Sequence, residues 1–245
     1  MRVRILLEGQ LRLPIHHNNI LQALVYDHID RDLSDFLHKQ GYQHGGRTYK
    51  MFTFSRLAGR YQMDAHAGTI TYATPINFMV ASPVEGLITS LAANLIKSHE
   101  VYLGKAKVRV VQADIRDDGT CESKIRVRSL SPITIYSTDR FVAGGSFTMY
   151  HQPGEEVFND ILTANIRNKY SAFFEKQAPD GYLQIIPVGK TTQNVIKHER
   201  IVIKGYSGEY QMEGPPELLQ LGMAAGFGGK NAQGFGMMQL VERVS

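Results

Sequence analysis

The sequence predicts an α+β fold of two tandem ferredoxin-like domains that pack closely together. The chain has 245 residues, enough for one large domain or two small ones. Hydrophobic residues make up 43% and charged residues 20%, as in ordinary globular proteins. The predicted elements run twice in the order β-α-β-β-α-β, which is the ferredoxin-like pattern. A turn signal at Asp117, Asp118 and Gly119 indicates a boundary between domains at 1–120 and 121–245.

The first half supplies the elements of one such domain. Residues 2–8 alternate between polar and apolar side chains, which is the period of a half-buried strand. A helix capped by Asn18 or Asn19 follows, with apolar residues three and four apart up to Leu37, and the stretch 30–34 can divide it into two helices. Further predicted elements are strands over 50–57, 69–74 and 77–81, a helix over 83–97 that opens at Pro83, and a strand over 106–115.

The second half approximates the same order. The helices are predicted over 154–176 and 216–225, and the second of them starts at Pro215 and Pro216. The predicted strands are 124–136, 146–150, 182–189, 199–206 and 235–242. The two halves share this order but no residue-level repeat.

Composition restricts the class of protein. Lys and Arg number 27 against 23 Asp and Glu, and the net charge of +4 suits a nucleic-acid partner and many metabolic enzymes alike. The single cysteine, Cys121, excludes an intramolecular disulfide and has no predicted part in catalysis. No apolar run reaches 18 residues, so we expect no transmembrane helix and no membrane partner. The lone cysteine indicates a reducing compartment, so we expect a cytoplasmic protein. Seven of the nine histidines precede residue 100, which places candidate acid–base chemistry in the first half.

The segment 226–236 (GFGGKNAQGFG) is the most unusual in the chain. Its backbone amides and central residues can bind phosphate, and a tight turn that needs glycine for geometry alone explains it about as well. Ala224 and Asn231 stand where the two common nucleotide-binding motifs require glycine, so we expect neither ATP nor NAD and no cofactor. The candidate RNA-binding residues are Gly226, Gly228, Gly229, Lys230, Asn231, Gly234 and Gly236.

The region 218–240 (LLQLGMAAGFGGKNAQGFGMMQL) resembles the C-terminal signature of the CRISPR-associated repeat-processing endoribonucleases. This family belongs to the RAMP superfamily of RNA-binding proteins built from tandem ferredoxin-like domains. Weaker resemblances occur in the expected order along the chain, at LQALVY (21–26), DFLHK (35–39), KMFTFS (50–55) and LSPI (130–133).

The resemblance implies a metal-independent endoribonuclease that cuts CRISPR repeat RNA precursors into guide RNAs. The 2′-hydroxyl attacks the adjacent phosphate and leaves a 2′,3′-cyclic phosphate and a 5′-hydroxyl. The family's catalytic trio falls on Tyr26, His38 and Lys50. His38 is assigned proton transfer in either direction, Lys50 stabilisation of the phosphate charge, and Tyr26 orientation or deprotonation of the 2′-hydroxyl. His44 and Tyr49 are the substitutes if this register is wrong.

Several alternatives stay open at this stage. A non-catalytic repeat-RNA-binding subunit of a CRISPR effector complex is the main one, and the intact trio argues against it. A small-molecule enzyme on the same scaffold is the other. His16 and His17 lack a third ligand at a recognised spacing, so we expect a surface pair and no metal site. Repeat RNA is the implied partner, and the resemblance also allows other effector-complex subunits and a homodimer.

Overall fold

The structure, a computed structural model, describes residues 1–117, 122–140, 146–198 and 201–243. Its first half contains three helices and nine strands among the described residues. The helices are α1 (Asn18–His28), α2 (Arg31–Lys39) and α3 (Glu85–Ser98). The strands are β1 (Arg2–Glu8), β2 (Leu11–Pro14), β3 (Tyr42–His44), β4 (Arg47–Tyr49), β5 (Thr53–Phe54), β6 (Ala58–Asp64), β7 (Thr69–Ala81), β8 (Glu100–Leu103) and β9 (Ala106–Arg116).

The second half contains two helices, one short 3₁₀ turn and six strands in the part of the chain that is described. The helices are α4 (Glu156–Phe174) and α5 (Pro216–Ala225), and the 3₁₀ turn is Asn231–Gln233. The strands are β10 (Lys124–Ser129), β11 (Ile135–Arg140), β12 (Ser146–His151), β13 (Gln184–His198), β14 (Ile201–Glu213) and β15 (Met238–Arg243).

Both main sheets are antiparallel, and four strands of the seven-stranded first sheet have the same order as the four strands of the second. In the first sheet β6 pairs with β7, β7 with β1, and β1 with β9. In the second sheet the order is β13-β14-β10-β15. In the first sheet β1 therefore lies between β7 and β9, and in the second sheet β10 lies between β14 and β15. In both sets of four strands, helices follow the first and the third strand in the chain. This is the ferredoxin-like arrangement twice over, as the element order predicts.

Helix boundaries agree well with the sequence-based expectation. The helix over 18–37 is divided, because Ile29 is extended between α1 and α2. Helix α5 has the predicted bounds: Pro215 and Pro216 open it, and Gly226, at φ +86°, ends it. Helices α3 and α4 each lie within two residues of their predicted ends.

Strand boundaries are less accurate. The expected strands 69–74 and 77–81 form one strand, β7, because Pro75 lies where the β6 pairing shifts register and no ladder hydrogen bond is required. The strand expected over 182–189 does not end there but continues to His198 as β13. Near its expected end it has a bulge, where the pairing with β14 shifts register between Val188 and Thr192. Three other expected strands are shorter than predicted: 50–57 pairs only at Thr53–Phe54, 124–136 stops at Ser129 before Pro132, and 235–242 starts at Met238.

The loop 226–236, the glycine loop, makes hydrogen bonds to both halves of the chain. From the first half, Thr53 Oγ1 donates a hydrogen bond to the carbonyl of Phe235 at 2.9 Å, and Asn18 Nδ2 donates to the carbonyl of Gln233 at 2.7 Å. From the second half, the amide of Gly236 donates to the carbonyl of Pro132 at 2.8 Å. The loop is thus bonded to both halves.

Three expectations fall partly or wholly outside the described residues. The expected strand over 199–206 is one: its first two residues are outside, and the rest lies in the longer strand β14. The expected boundary at 120/121 and Cys121 both lie in the segment between residues 117 and 122, and the boundary stays a prediction. Within the described ranges, none of the helices has both the length and the hydropathy of a membrane span.

Gly222 on α5 offers a test of how tightly this helix packs against the glycine loop. A Cβ there would overlap the ring of Phe227, which is fully buried and has no room to move. We expect Gly222→Ala to lower the free energy of unfolding by about 1–3 kcal/mol, as overpacking does. Denaturant unfolding monitored by circular dichroism measures this change.

Gly86 on α3 is the matched control, because it is exposed and a Cβ added there would have no neighbouring atom within 4 Å. Gly86→Ala should be neutral or stabilise the protein by up to about 1 kcal/mol, the usual effect of alanine in a helix. Equal effects of the two substitutions would contradict the packing seen at α5.

Candidate active site

A cleft of about 830 Å³ lies between the two halves of the chain. The first half contributes residues of α1, α2 and the segment 47–52, and the second half contributes β11, α4 and the glycine loop. Of the described residues that line the cleft, none is Asp or Glu. Five are basic: His38, Arg47, Lys50, Lys169 and Lys230. Such a wall favours an anionic ligand through its positive potential.

The structure brings Tyr26 and His38 together. Tyr26 is on α1 and His38 is in the last turn of α2, and their ring centroids are 4.0 Å apart with an interplanar angle of 36°. Phe52 meets Tyr26 edge-on at 5.5 Å. Tyr26 is buried, which raises its pKa to about 12, whereas the His38 side chain is exposed. The phenol is therefore neutral near pH 7, while the imidazole is open to solvent and substrate.

Lys50 completes the cluster from the strand side of the cleft. Its Nζ donates hydrogen bonds to the carbonyls of Leu37 and, at 3.2 Å, of His38. These carbonyls belong to the last turn of α2, where a cation is stabilised by the helix dipole. Partial burial lowers the pKa of Lys50 from its ordinary value. The three residues of the expected trio thus meet in one cleft, and their catalytic roles stay predictions.

The glycines of the loop are required by its geometry. Gly226, Gly228, Gly234 and Gly236 all have φ between +74° and +86°, a region that favours glycine. A Cβ at Gly228 would lie 2.5 Å from the carbonyl oxygen of Thr134, and one at Gly234 would overlap the ring of Phe54. Gly229 lies instead against the ring of Tyr136. The tight-turn interpretation is therefore sufficient to explain most of the glycines.

Most of the glycine amides are already used within the protein. Those of Gly226, Gly229, Gly234 and Gly236 donate to backbone carbonyls at 2.8–2.9 Å. Within the described part of the chain, the amide of Gly228 has no such acceptor. Phosphate binding by the four engaged amides gains no support from this geometry, and RNA binding by the glycine loop stays a prediction.

The two polar residues of the loop differ in where their side chains lie. Asn231 is directed inward: its Nδ2 donates to the carbonyls of Phe227 at 3.1 Å and Phe235 at 3.0 Å. Lys230 extends along the cleft wall, with Nζ 5.4 Å from the ring centroid of Tyr136. Partial burial lowers its pKa. Lys230 is therefore the loop residue best placed to meet a phosphate.

Lys169 on α4 is the cleft residue that sequence reasoning missed. It is only 2% exposed, and its Nζ donates to the carbonyls of Gly226 at 2.6 Å and Gly228 at 2.9 Å and to Asn231 Oδ1 at 2.6 Å. The one local signal for it is its helical position, seven residues after buried Leu162 and three after buried Ile166. A lysine on that face of α4 is expected to have a specific partner, since lysine is rarely buried without one.

The remaining candidates lie elsewhere or have structural roles. Tyr49 lines the cleft, whereas His44 is exposed on β3, away from the cleft. His17 is buried, and its Nδ1 donates to the carbonyl of Pro14 at 2.9 Å. The expectation that both His16 and His17 lie on the surface is therefore wrong for His17. Among the described residues, no group of three or more His, Cys, Asp and Glu could hold a metal ion. Metal independence itself stays a prediction.

The buried ammonium of Lys169 leads to a prediction about pH and stability. Burial lowers its pKa from 10.5 to about 7, so the unfolded chain binds more protons at this residue between these values. Lys169 therefore makes the free energy of unfolding rise with pH between about 7 and 10.5, and has no such effect at lower pH.

Lys169→Met should lose this contribution. Urea unfolding of both proteins at several pH values from about 6 to about 9 gives the free energy of unfolding of each. The difference, wild type minus variant, should increase as the pH rises. Parallel curves across this range would contradict a lowered pKa at Lys169.

Comparison with known proteins identifies the family. A family model described as "CRISPR associated protein Cas6, C-terminal" matches residues 115–240, about half of the chain. A CRISPR-associated endoribonuclease Cas6 of Methanocaldococcus jannaschii is 24% identical over 234 residues, which cover 94% of this chain and 88% of the relative. The corresponding Cas6 of Pyrococcus furiosus is 24% identical over 241 residues, covering 94% and 84%.

Solved structures agree on the fold. A Cas6-related protein from Pyrococcus furiosus superimposes with a TM-score of 0.85 at 21% identity, covering 100% of this chain and 99% of its own. A RAMP protein described as binding different RNA substrates gives a TM-score of 0.83 at 21% identity, covering 99% and 100%. With the family model, these comparisons confirm the resemblance seen in the sequence and the tandem ferredoxin-like fold: the chain belongs to the Cas6 family of CRISPR-associated proteins.

Proposed function

We propose that the chain is an endoribonuclease that cuts CRISPR repeat RNA in the cleft between its two halves and so produces guide RNAs. The observation that supports this best is the meeting of Tyr26, His38 and Lys50 in a cleft whose described walls have basic side chains and no carboxylate. RNA is polyanionic, and the cleft offers it charge, a titratable imidazole and an aromatic wall. The curated Cas6 relatives are named as endoribonucleases, which agrees with this proposal.

The proposed reaction needs no metal ion. The 2′-oxygen attacks the adjacent phosphorus and the bond from phosphorus to the 5′-oxygen breaks, which leaves a 2′,3′-cyclic phosphate and a 5′-hydroxyl. One proton leaves the 2′-hydroxyl and one is delivered to the 5′-oxygen. Negative charge develops on the phosphate oxygens between these two transfers, and a nearby cation stabilises it.

The geometry supports a distinct role for each residue of the trio. His38 is exposed and takes or gives the proton, because imidazole titrates near neutral pH. Lys50 lies beside it, with Nζ 3.2 Å from the His38 carbonyl, and stabilises the phosphate charge. Tyr26, whose pKa is raised to about 12 by burial, is a poor base, so it orients His38 by ring contact and donates its hydroxyl proton only as a hydrogen bond.

Lys230 and the glycine loop form the opposing wall and contact the RNA backbone in this proposal. Other effector-complex subunits, a homodimer and a cytoplasmic location stay predictions.

The mechanism predicts cleavage in EDTA that depends on one hydroxyl. The wild-type protein should cut all-ribose repeat RNA in EDTA, because its own residues supply the proton transfer and the charge stabilisation. RNA with a single 2′-deoxy nucleotide on the 5′ side of the cleaved bond should bind and stay intact, because it lacks the nucleophile. Denaturing gels measure cleavage, and mass spectrometry identifies the cyclic phosphate.

Two outcomes would count against this mechanism. Cleavage of the deoxy substrate, or activity that returns only with a divalent ion, would exclude it. Tight binding of the all-ribose RNA without cleavage would favour the non-catalytic subunit instead.

His38→Ala tests the proposed proton transfer. We expect the single-turnover cleavage rate to fall by about 10²–10⁴-fold, the range for loss of a general acid or base. Affinity for the uncut deoxy RNA should stay within about threefold, because the imidazole contributes little to binding, and filter binding measures it.

His44→Ala is the matched control, since His44 is exposed on β3 and outside the cleft. It should leave both quantities unchanged. A parallel loss of cleavage and affinity in His38→Ala would make His38 a binding residue.

A further inference from the structure

Lys169 is a buried cation without a carboxylate partner in the described part of the chain. All three of its hydrogen bonds go to neutral oxygens, two of them backbone carbonyls of the glycine loop and the third the side chain of Asn231. Burying an ammonium is costly unless its donors are satisfied, and here all three are. A neutral side chain of similar length would fill the same space at lower cost, so packing alone does not account for a lysine.

The acceptors of Lys169 are spread along the glycine loop. Gly226 ends α5, Gly228 lies in the first bend, and Asn231 opens the 3₁₀ turn. Asn231 then extends the connection, since its Nδ2 donates to the carbonyls of Phe227 and Phe235. The two side chains together fix the start, the middle and the end of the loop by five hydrogen bonds.

Lys230 lies directly between two of the fixed residues. On one side the amide of Gly229 donates to the carbonyl of Thr134 at 2.9 Å, and on the other side Asn231 accepts from Lys169. Lys230 itself has φ +56°, a conformation that is unfavourable for a residue with a Cβ. That conformation persists only where the surroundings impose it. Here they include the bond from the Gln233 amide to the Lys230 carbonyl at 2.9 Å and the bond from Lys169 to the adjacent Asn231.

We propose that Lys169 is a positioning residue for RNA cleavage: its buried ammonium holds the glycine loop in the conformation that places Lys230 on the cleft wall. This inference rests on the proposed function, because it concerns how the glycine loop places Lys230 for the proposed cleavage of RNA. Lys169 acts through Lys230 and not by contact with the reacting atoms.

The first test needs no RNA. Hydrogen exchange of the segment 226–236 is compared between the wild type and Lys169→Met, in which an apolar chain of similar length replaces the ammonium. The amides of Phe227, Gly229 and Gly236, which are hydrogen-bonded in the structure, should exchange at least about tenfold faster in the variant, while β1 amides keep their protection. Unchanged exchange in the loop would overturn the proposal.

Two further variants keep this test decisive. Lys176→Met is the matched control: Lys176 follows α4, lies 5.3 Å from the ring centroid of Phe174 and is outside the cleft, so its loss should leave loop exchange and cleavage unchanged. Lys169→Gln replaces Lys169→Met if the latter does not fold, as judged by circular dichroism, and should show the same faster exchange because it cannot supply three donors at that reach.

The second test is a double-mutant cycle with Lys230→Ala, measured as the single-turnover cleavage rate. Lys169→Met and Lys230→Ala should each slow cleavage by about 10–100-fold, and the double variant should be no more than about threefold slower than Lys169→Met alone, because both changes remove the same contact. Multiplying effects would overturn the proposal. Absence of cleavage by the wild type would refute the proposed function, and loop exchange would still decide whether Lys169 holds the loop.

Discussion

The cleft depends on how the glycine loop is held between the two halves of the chain. Thr53 and Asn18 bind it from the first half, and Lys169 and the segment 132–134 bind it from the second. The same eleven residues therefore form the wall that contains Lys230 and are hydrogen-bonded to Asn18 and Thr53 of the half that contributes His38. Gly226, Gly228, Gly234 and Gly236 are required in this loop both by their positive φ and by the lack of space for a Cβ.

The sequence was sufficient for the fold class but only partly for its details. Helix α5 was predictable to the residue because Pro215, Pro216 and Gly226 act locally. The full lengths of β7 and β13 were not predictable. A proline or a glycine inside a long strand is tolerated where the pairing with the neighbouring strand shifts register, and the sequence does not show where that occurs. Tyr26, His38 and Lys50 were predicted from the resemblance to a family, because residues twelve apart in the sequence give no sign that they are in contact. Lys169 was missed because its partners lie 57 to 62 residues away in the chain.

Local charge matters more here than the net charge of +4. The acidic residues lie outside the described walls of the cleft, and several are paired there with bases, as in Glu100–Lys107, Glu213–Lys124 and Asp35–Lys39. Exposed pairs of this kind contribute little to stability. They do neutralise positive charge away from the cleft, so that the basic residues within it dominate the local potential. A chain with a net charge of only +4 can in this way have a cleft of locally positive potential.

The environments of Tyr26, His38 and Lys50 also differ, and with them the part that each can take in the proposed reaction. Burial raises the pKa of Tyr26 to about 12, so its hydroxyl keeps its proton throughout the neutral range. Lys50 has a lowered pKa, but the α2 carbonyls that accept from its Nζ favour the charged form. His38, stacked on Tyr26, is the exposed member of the trio, and imidazole is the group that exchanges protons readily near pH 7. In the proposed mechanism, His38 is therefore the member of the trio that takes or gives a proton, while Tyr26 and Lys50 keep a constant charge beside it.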